Sequence, residues 1–152
     1  MAKDIFLTDF TDPDFQAAFK LYFEELGIRV QNWDGLWQEM NHDPNAQNRA
    51  YVRVDEDGGI LGFIQFCEMT MQSGFFEEKV GFIREFWVRG DARGQGHGSV
   101  LLQLAEAYFR QQGIHKVILT TDTAEAFYEK HGYQAQPSLA ARNKDAVYAK
   151  RI

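Results

Sequence analysis

Six consecutive residues concentrate what binding chemistry requires: Arg93-Gly94-Gln95-Gly96-His97-Gly98, with glycine at every second position. Glycines at 94, 96 and 98 let the backbone turn sharply and approach a ligand closely. Where such a turn opens a helix, unpaired amides and the positive end of the helix dipole favour a phosphate. The pattern separates three kinds of anion-binding loop. A Walker loop ends in Gly-Lys-Ser/Thr, and Gly98-Ser99 lacks the lysine. A dinucleotide loop reads G-x-G-x-x-G, and counting from Gly94 puts Ser99 where the third glycine belongs. The third is R-x-x-G-x-G, which Arg93, Gly96 and Gly98 satisfy. The remaining reactive side chains offer less. His42, His97, His115 and His131 show no metal-ligand spacing, so no metal is expected. The single cysteine, Cys67, stands among Phe63, Ile64 and Phe66 and reads as core.

The elements that must position this loop follow from periodicity. Ile5–Phe10 reads as a strand, and Thr11-Asp12-Pro13 as a helix start. Phe15, Phe19, Tyr22, Phe23 and Leu26 then give one apolar helical face, ending at Gly27. Trp33, Leu36, Trp37 and Met40 suggest a second short helix. Tyr51–Val54 and Ile60–Met69 read as strands joined by a turn at Asp57-Gly58-Gly59. Val80–Val88 is a strand leading into the glycine-rich turn. Ser99–Gln112 is a helix with Gly113 as its cap, followed by a strand over His115–Thr121 and a short helix over Ala124–His131. The chain is extended from Tyr133, and Ala146–Ile152 closes the sequence as a strand. A strand–helix–strand run after an antiparallel hairpin implies a mixed α/β sheet, because a crossover helix forces parallel pairing.

Composition bounds the function classes. The 152 residues are 45% hydrophobic and 25% charged, which suits a single domain over residues 1–152. Apolar runs are only strand-length and the first residues lack a signal-peptide core, so no membrane partner and a cytoplasmic location are expected. A lone cysteine permits no internal disulfide. The net charge of −6 argues against nucleic acid as a partner. That charge is uneven: residues 1–80 carry −9 and residues 81–152 carry +3. Such asymmetry suggests two different partners handled by two parts of the molecule. The 14% of aromatic residues leaves room for a homodimer interface.

Two segments in order resemble the GNAT superfamily of acyl-CoA-dependent N-acetyltransferases. Phe86–Phe109, containing R-x-x-G-x-G, is similar to the family's strand, pyrophosphate loop and helix. Ala124–Tyr133 is similar to its second motif, a short helix carrying a tyrosine and ending in Gly-aromatic. The resemblance implies a central mixed, mostly antiparallel sheet of six to seven strands flanked by about four helices. It also implies acetyl-CoA as acyl donor. Its pyrophosphate would lie on the amides of Gly94, Gln95, Gly96, His97, Gly98 and Ser99, and its pantetheine arm against the backbone of Phe86, Trp87 and Val88. Arg93 would support the loop or the phosphates. Where the family often carries asparagine before the short helix, this chain reads Thr121-Asp122-Thr123; a threonine hydroxyl such as that of Thr121, or the Asp122 carboxylate, could replace only part of that amide's hydrogen bonding.

The chemistry so implied is attack by an amine on a thioester. An amine with a pKa of ~10.4 costs roughly 4–5 kcal/mol to deprotonate at pH 7, so a base helps. The departing thiolate needs a proton donor, and Tyr128 stands where the family places it; periodicity alone reads Tyr128 as core. Glu85 is the candidate base or amine-binding group. On a regular strand it would take the face opposite Arg84 and Phe86, and a bulge would reverse that. If Arg84 faces the acceptor instead, it suits a substrate carrying a carboxylate or phosphate. Asp34, Glu39 and Asp43, near Trp33 and Trp37, suit a small cationic amine. A non-catalytic CoA-binding module, and acetylation of a protein N-terminus or lysine, are the alternatives.

Overall fold

In the computed structural model, which describes residues 1–43 and 46–152, each helix begins and ends where its caps dictate. Helix α1 spans Pro13–Leu26: the Asp12 side chain accepts from the Phe15 amide, proline occupies the first turn, and Gly27 closes it at φ 73°. Helix α2 spans Trp33–Asn41, with Asn32 accepting from the Gly35 amide. Helix α3 spans His97–Gln111 and starts from Gly96 at φ 89°, and α4 spans Glu125–Lys130.

Seven strands form one sheet in the order β1-β2-β3-β4-β5-β7-β6. They are β1 Lys3–Leu7, β2 Arg49–Val54, β3 Ile60–Ser73, β4 Phe76–Val88, β5 Lys116–Thr121, β6 Gln134–Ala135 and β7 Ala146–Arg151. Neighbours are antiparallel except β4 and β5, which α3 connects and which run parallel. The expected mixed, mostly antiparallel sheet with four helices is what forms; a 3₁₀ turn at Gly90–Ala92 is additional.

Two differences have physical causes. The first strand stops at Leu7 rather than Phe10, because Phe10 leaves the sheet to be fully buried in a turn whose amide donates to Asn41 Oδ1 at 2.9 Å. The β3–β4 hairpin runs well past Met69 and starts before Val80, closing at Gly74-Phe75. Its polar residues, Thr70, Gln72 and Glu77–Lys79, face solvent and so hid the strand from a hydrophobicity reading.

The sheet carries helices on both faces. Against one, α3 and α4 pack Leu101, Leu102, Ala105, Phe109 and Tyr128 onto Ile64, Phe66 and Ile83. A β-carbon at Gly81 would lie 2.6 Å from the Phe109 ring, so glycine there lets α3 approach β4. Against the other, α1 and α2 bury Phe15, Phe19 and Trp37 on Ala50, Val52, Phe63 and Trp87. Among the described residues, no helix is long and apolar enough to cross a membrane.

Candidate active site

The site arises where the sheet fails to continue. Strands β4 and β5 pair only at Gly81↔Val117 and Phe82↔Ile118, then diverge. The β5-facing edge of β4 beyond Phe82 therefore has no strand partner, and a cavity of about 830 Å³ opens between the strands. The divergence begins at a β-bulge. Gln65 pairs with Glu85 and Phe66 with Ile83, so Arg84 is an extra residue in β4. Bulges bend the strand that carries them and re-aim its side chains.

That inserted residue decides which way Glu85 points. Ile83 lies on the α3/α4 face, and uninterrupted alternation would put Glu85 beside it. With Arg84 inserted, Glu85 instead turns to the α1 face, where Tyr22 Oη donates to its Oε2 at 2.6 Å. Phe86 and Val88 take the α3/α4 face, and Trp87 joins the α1 core. Burial pushes the Glu85 carboxyl above the ordinary range, while the Tyr22 hydrogen bond and Arg84 draw it back. Burial first, and then the Glu85 charge, drive the Tyr22 phenol far up. Gln65, 2% exposed and paired across from Glu85, has a buried Oε1 that accepts no hydrogen bond from a described residue.

Tyr128 borders the cavity from α4, packed against Phe86, Phe127 and Tyr133 at ring separations of 6.4, 5.3 and 5.7 Å. Its hydroxyl makes no hydrogen bond to a described residue, and burial pushes its pKa well up, so it is a protonated donor at neutral pH. The tyrosine is thus part of the core and of the cavity wall at once.

The glycine-rich turn borders the cavity through Gly94, Gly96, His97, Gly98 and Ser99; Gln95 is exposed and does not. Gly94 and Gly96 stand at φ 79° and 89°, a left-handed conformation that side-chain-bearing residues adopt at a cost. Beyond them the first amides of α3 have no carbonyl within the helix. Arg93 props this turn: its Nε donates to the Val88 carbonyl at 2.9 Å, and its Nη2 contacts both Glu25 carboxylate oxygens at 2.9 and 3.0 Å. Glu25 also accepts from Trp87 Nε1 at 2.8 Å, tying α1 to the end of β4. His97 Nδ1 accepts from Arg53 Nε at 2.9 Å, and Arg53 in turn pairs with Asp4 at 2.6 Å. Because a guanidinium only donates, the His97 ring proton sits on Nε2. Ser99 Oγ shares a 2.9 Å hydrogen bond with His131 Nε2, and burial lowers the His131 pKa. Thr121 borders the cavity, but its Oγ1 accepts from the Ala124 amide at 3.0 Å and caps α4.

Of the acids near the tryptophans, Asp34 and Glu39 are exposed and away from the cavity, while Trp33 and Trp37 stack at 5.2 Å in the α1/α2 core. Asp43 lies apart from these two acids, against Arg84 Nη1 at 3.4 Å beside the cavity. The carboxylates at the cavity are Glu25, Glu85, Asp122 and Asp145. Neither Tyr22 nor Glu25 carries a local signal of a site: one matches the apolar stripe of α1 and the other its solvated flank. Asp145 sits in a loop with no motif, held by an Asn143 side chain that accepts from the Asp145 amide and donates to Thr120 Oγ1. Cys67 is buried, its thiol pushed up to about 11 by burial. Among the described residues no group of three or more His, Cys, Asp or Glu side chains is arranged to hold a metal.

Comparison with known proteins identifies the family and the fold. Residues 4–133 match the family model described as the acetyltransferase (GNAT) family. The fold superposes on a predicted acetyltransferase from Clostridium acetobutylicum solved with acetyl-CoA, at a TM-score of 0.74 and 16% identity over 93% of this chain and 95% of that one. It also matches Arabidopsis thaliana NAA60 in complex with a bisubstrate analogue, at 0.70 and 12% over 99% and 98%. A GNAT-family acetyltransferase from Staphylococcus aureus Mu50 gives 0.69 and 14%, over 99% of each chain. At these identities the likeness to solved structures establishes the fold.

Proposed function

Since the chain belongs to the acetyltransferase (GNAT) family, we propose that it transfers an acetyl group from acetyl-CoA to the primary amine of a small cationic acceptor, by direct attack in a ternary complex. The observation that carries this reading is the cavity where β4 and β5 part. One cavity brings together the glycine turn, an unpaired strand edge, a protonated tyrosine and a half-buried carboxylate.

The residues fit acetyl-CoA. The left-handed glycines and the free amides opening α3 suit its pyrophosphate. The edge of β4 over Phe86–Val88 offers the alternating donors and acceptors that an amide-bearing pantetheine arm can pair with. Thr121 stands across from that edge at the end of β5. When bound, acetyl-CoA supplies the thioester carbonyl that an amine attacks.

This chain's own residues then have definite tasks. Glu85 takes a proton from the acceptor ammonium, and its burial-raised pKa brings it closer to the pH at which a base both accepts and releases protons. Asp122 and Asp145 favour a cation in the same cavity. Tyr128, protonated at neutral pH, hydrogen-bonds the leaving sulfur and gives it a proton as the C–S bond breaks, and the second proton that the acceptor nitrogen loses as the amide forms restores the phenol. Arg93 and Glu25 keep the turn registered against the end of β4.

Thermal melting with acetyl-CoA, CoA, ATP and NADH in parallel, followed by thiol release with an amine panel, tests the reading. A ligand at about 100 times its Kd stabilises by about 2.7 kcal/mol. For this chain length that is a shift of roughly 5–10 °C. The expected result is a shift with the CoA species alone and thiol release that depends on an amine. A shift with no transfer to any amine would make the protein a CoA-binding module, and no shift with acetyl-CoA would overturn the donor assignment.

A further inference from the structure

We propose that Arg84 is an anion-recognition residue of the acceptor site, so that the acceptor carries a carboxylate alongside its amine. The inference rests on the amine-transfer reading above and narrows its substrate class to amino carboxylates.

The bulge is the starting point. Without it, adjacent residues of β4 would face opposite sides of the sheet; with it, Arg84 and Glu85 both reach the α1/α2 side and both border the cavity. Glu85 meets Tyr22 of α1 there. Arg84 meets residues that follow α2: its Nη1 donates to Asn48 Oδ1 at 3.1 Å and contacts Asp43 Oδ2 at 3.4 Å. Asn48 is 3% exposed, its own Nδ2 donating to the Met40 carbonyl at 3.1 Å, so one side of the guanidinium is anchored on a buried, fixed group.

Only Nη1 is used in that anchoring. The Nε–H and the two Nη2 protons make no hydrogen bond to a described residue. Nε and Nη2 form the edge of a guanidinium whose two parallel N–H groups match the two oxygens of a carboxylate. The side chain is 38% exposed, open to a ligand while its Nη1 is held.

Charge makes the placement meaningful. If the acceptor were a simple cation, a guanidinium beside Glu85 would repel the ammonium that Glu85 must receive. An acceptor with both charges removes the conflict: its ammonium goes to Glu85 and its carboxylate to the neighbouring arginine. The 3.4 Å contact to Asp43 is long for a charge-assisted hydrogen bond and leaves the fork edge available.

The test compares amines that differ only in the carboxylate: lysine against 1,5-diaminopentane, ornithine against 1,4-diaminobutane, and phenylalanine against 2-phenylethylamine. The readout is the ratio of kcat/KM within each pair, for wild type, Arg84→Gln and Arg84→Lys. Any effect of the substitution on Glu85 falls on both members and cancels in the ratio. Wild type is expected to favour the carboxylate-bearing member of at least one pair by roughly 10- to 100-fold, the loss typical of a charge-assisted hydrogen bond. The ratio should fall close to one in Arg84→Gln and stay intermediate in Arg84→Lys, which keeps the charge without the fork. A retained acetyl-CoA melting shift in each variant shows that the fold and donor site are intact.

A wild-type ratio near one in every pair, or a preference that survives in Arg84→Gln, overturns the proposal while leaving amine transfer standing. A preference confined to phosphoethanolamine over ethanolamine overturns the carboxylate in favour of a phosphate. Acetyl-CoA binding with no amine acetylated overturns this proposal and the transfer reading together, and is distinct from the other outcomes.

Discussion

Removing one oxygen atom, in Tyr22→Phe, isolates how far the Tyr22 hydroxyl offsets the burial that raises the Glu85 pKa. The Tyr22 hydroxyl donates to Glu85 Oε2 at 2.6 Å, and burial opposes the carboxylate's charge. A hydrogen bond to a charged group contributes about 1.5–3 kcal/mol. At 1.36 kcal/mol per pKa unit, its loss raises the Glu85 pKa by about one to two units. If Glu85 is the base, the acid limb of kcat/KM for the amine moves up in pH by that amount, and activity recovers at higher pH. The acceptor's own ionisation is common to both proteins, so the difference between profiles belongs to the enzyme.

The same substitution has a readout that needs no substrate. A carboxyl whose pKa is raised on folding stabilises the native state below the unfolded value, and that stability is lost as pH rises through the folded value. Raising the folded pKa further extends this loss to higher pH. Tyr22→Phe should therefore be nearly as stable as wild type at pH 4, below the ordinary carboxyl value, and should fall behind by up to about 1.5–3 kcal/mol at pH 8, once the pH has risen through the raised folded value. For a chain of 152 residues each kcal/mol moves Tm by about 2–4 °C. An equal Tm difference at both pH values would refute the claim that this hydroxyl serves the ionised carboxylate. An unmoved acid limb would refute Glu85 as the base.

Two further outcomes follow from single groups. Tyr128→Phe should lower kcat in the thiol-release assay by roughly 100-fold, the low end for general acid catalysis, and leave the acetyl-CoA melting shift unchanged; equal turnover would remove Tyr128 as the acid. Lys150→Met leaves the Glu106 carboxylate, 3% exposed, with only the Tyr133 hydroxyl at 2.8 Å, and should cost about 2–4 kcal/mol by denaturant titration; a cost under 0.5 kcal/mol would show that water replaces the ammonium.

What was legible in the sequence was whatever local spacing controls. The caps of α1, the Asp57-Gly58-Gly59 turn, the left-handed glycines before α3 and the parallel β4–α3–β5 crossover all follow from residues within a few positions of one another. Tyr128 was assignable only through the family motif, since its stripe on α4 is that of any core tyrosine. On the other side of the cavity, Glu85 and Arg84 could be named from the sequence but their faces and partners could not. Tyr22 and Glu25 lie more than sixty positions from their partners Glu85 and Trp87, and reach them because α1 lies across the sheet face that these side chains share. Trp33 and Trp37, with acids nearby, had the right composition for an amine site and instead fill the α1/α2 core.

Glu85 shows most directly why alternation alone could not settle the site. Its face depends on whether β4 contains an unpaired residue, and nothing in Phe82-Ile83-Arg84-Glu85-Phe86 marks one. The structure places it at Arg84, two residues past the last residue of β4 that pairs with β5. That single insertion turns Glu85 toward Tyr22, brings Arg84 to the same side, and coincides with the point where the strands part to open the cavity. The glycine turn and Tyr128 are set by other elements and would persist on a regular strand. If the protein works as proposed, the bulge belongs to the acceptor half of the site, and chemistry that depends on which amine is bound should be sensitive to Arg84, Glu85 and Tyr22 before it is sensitive to the glycines.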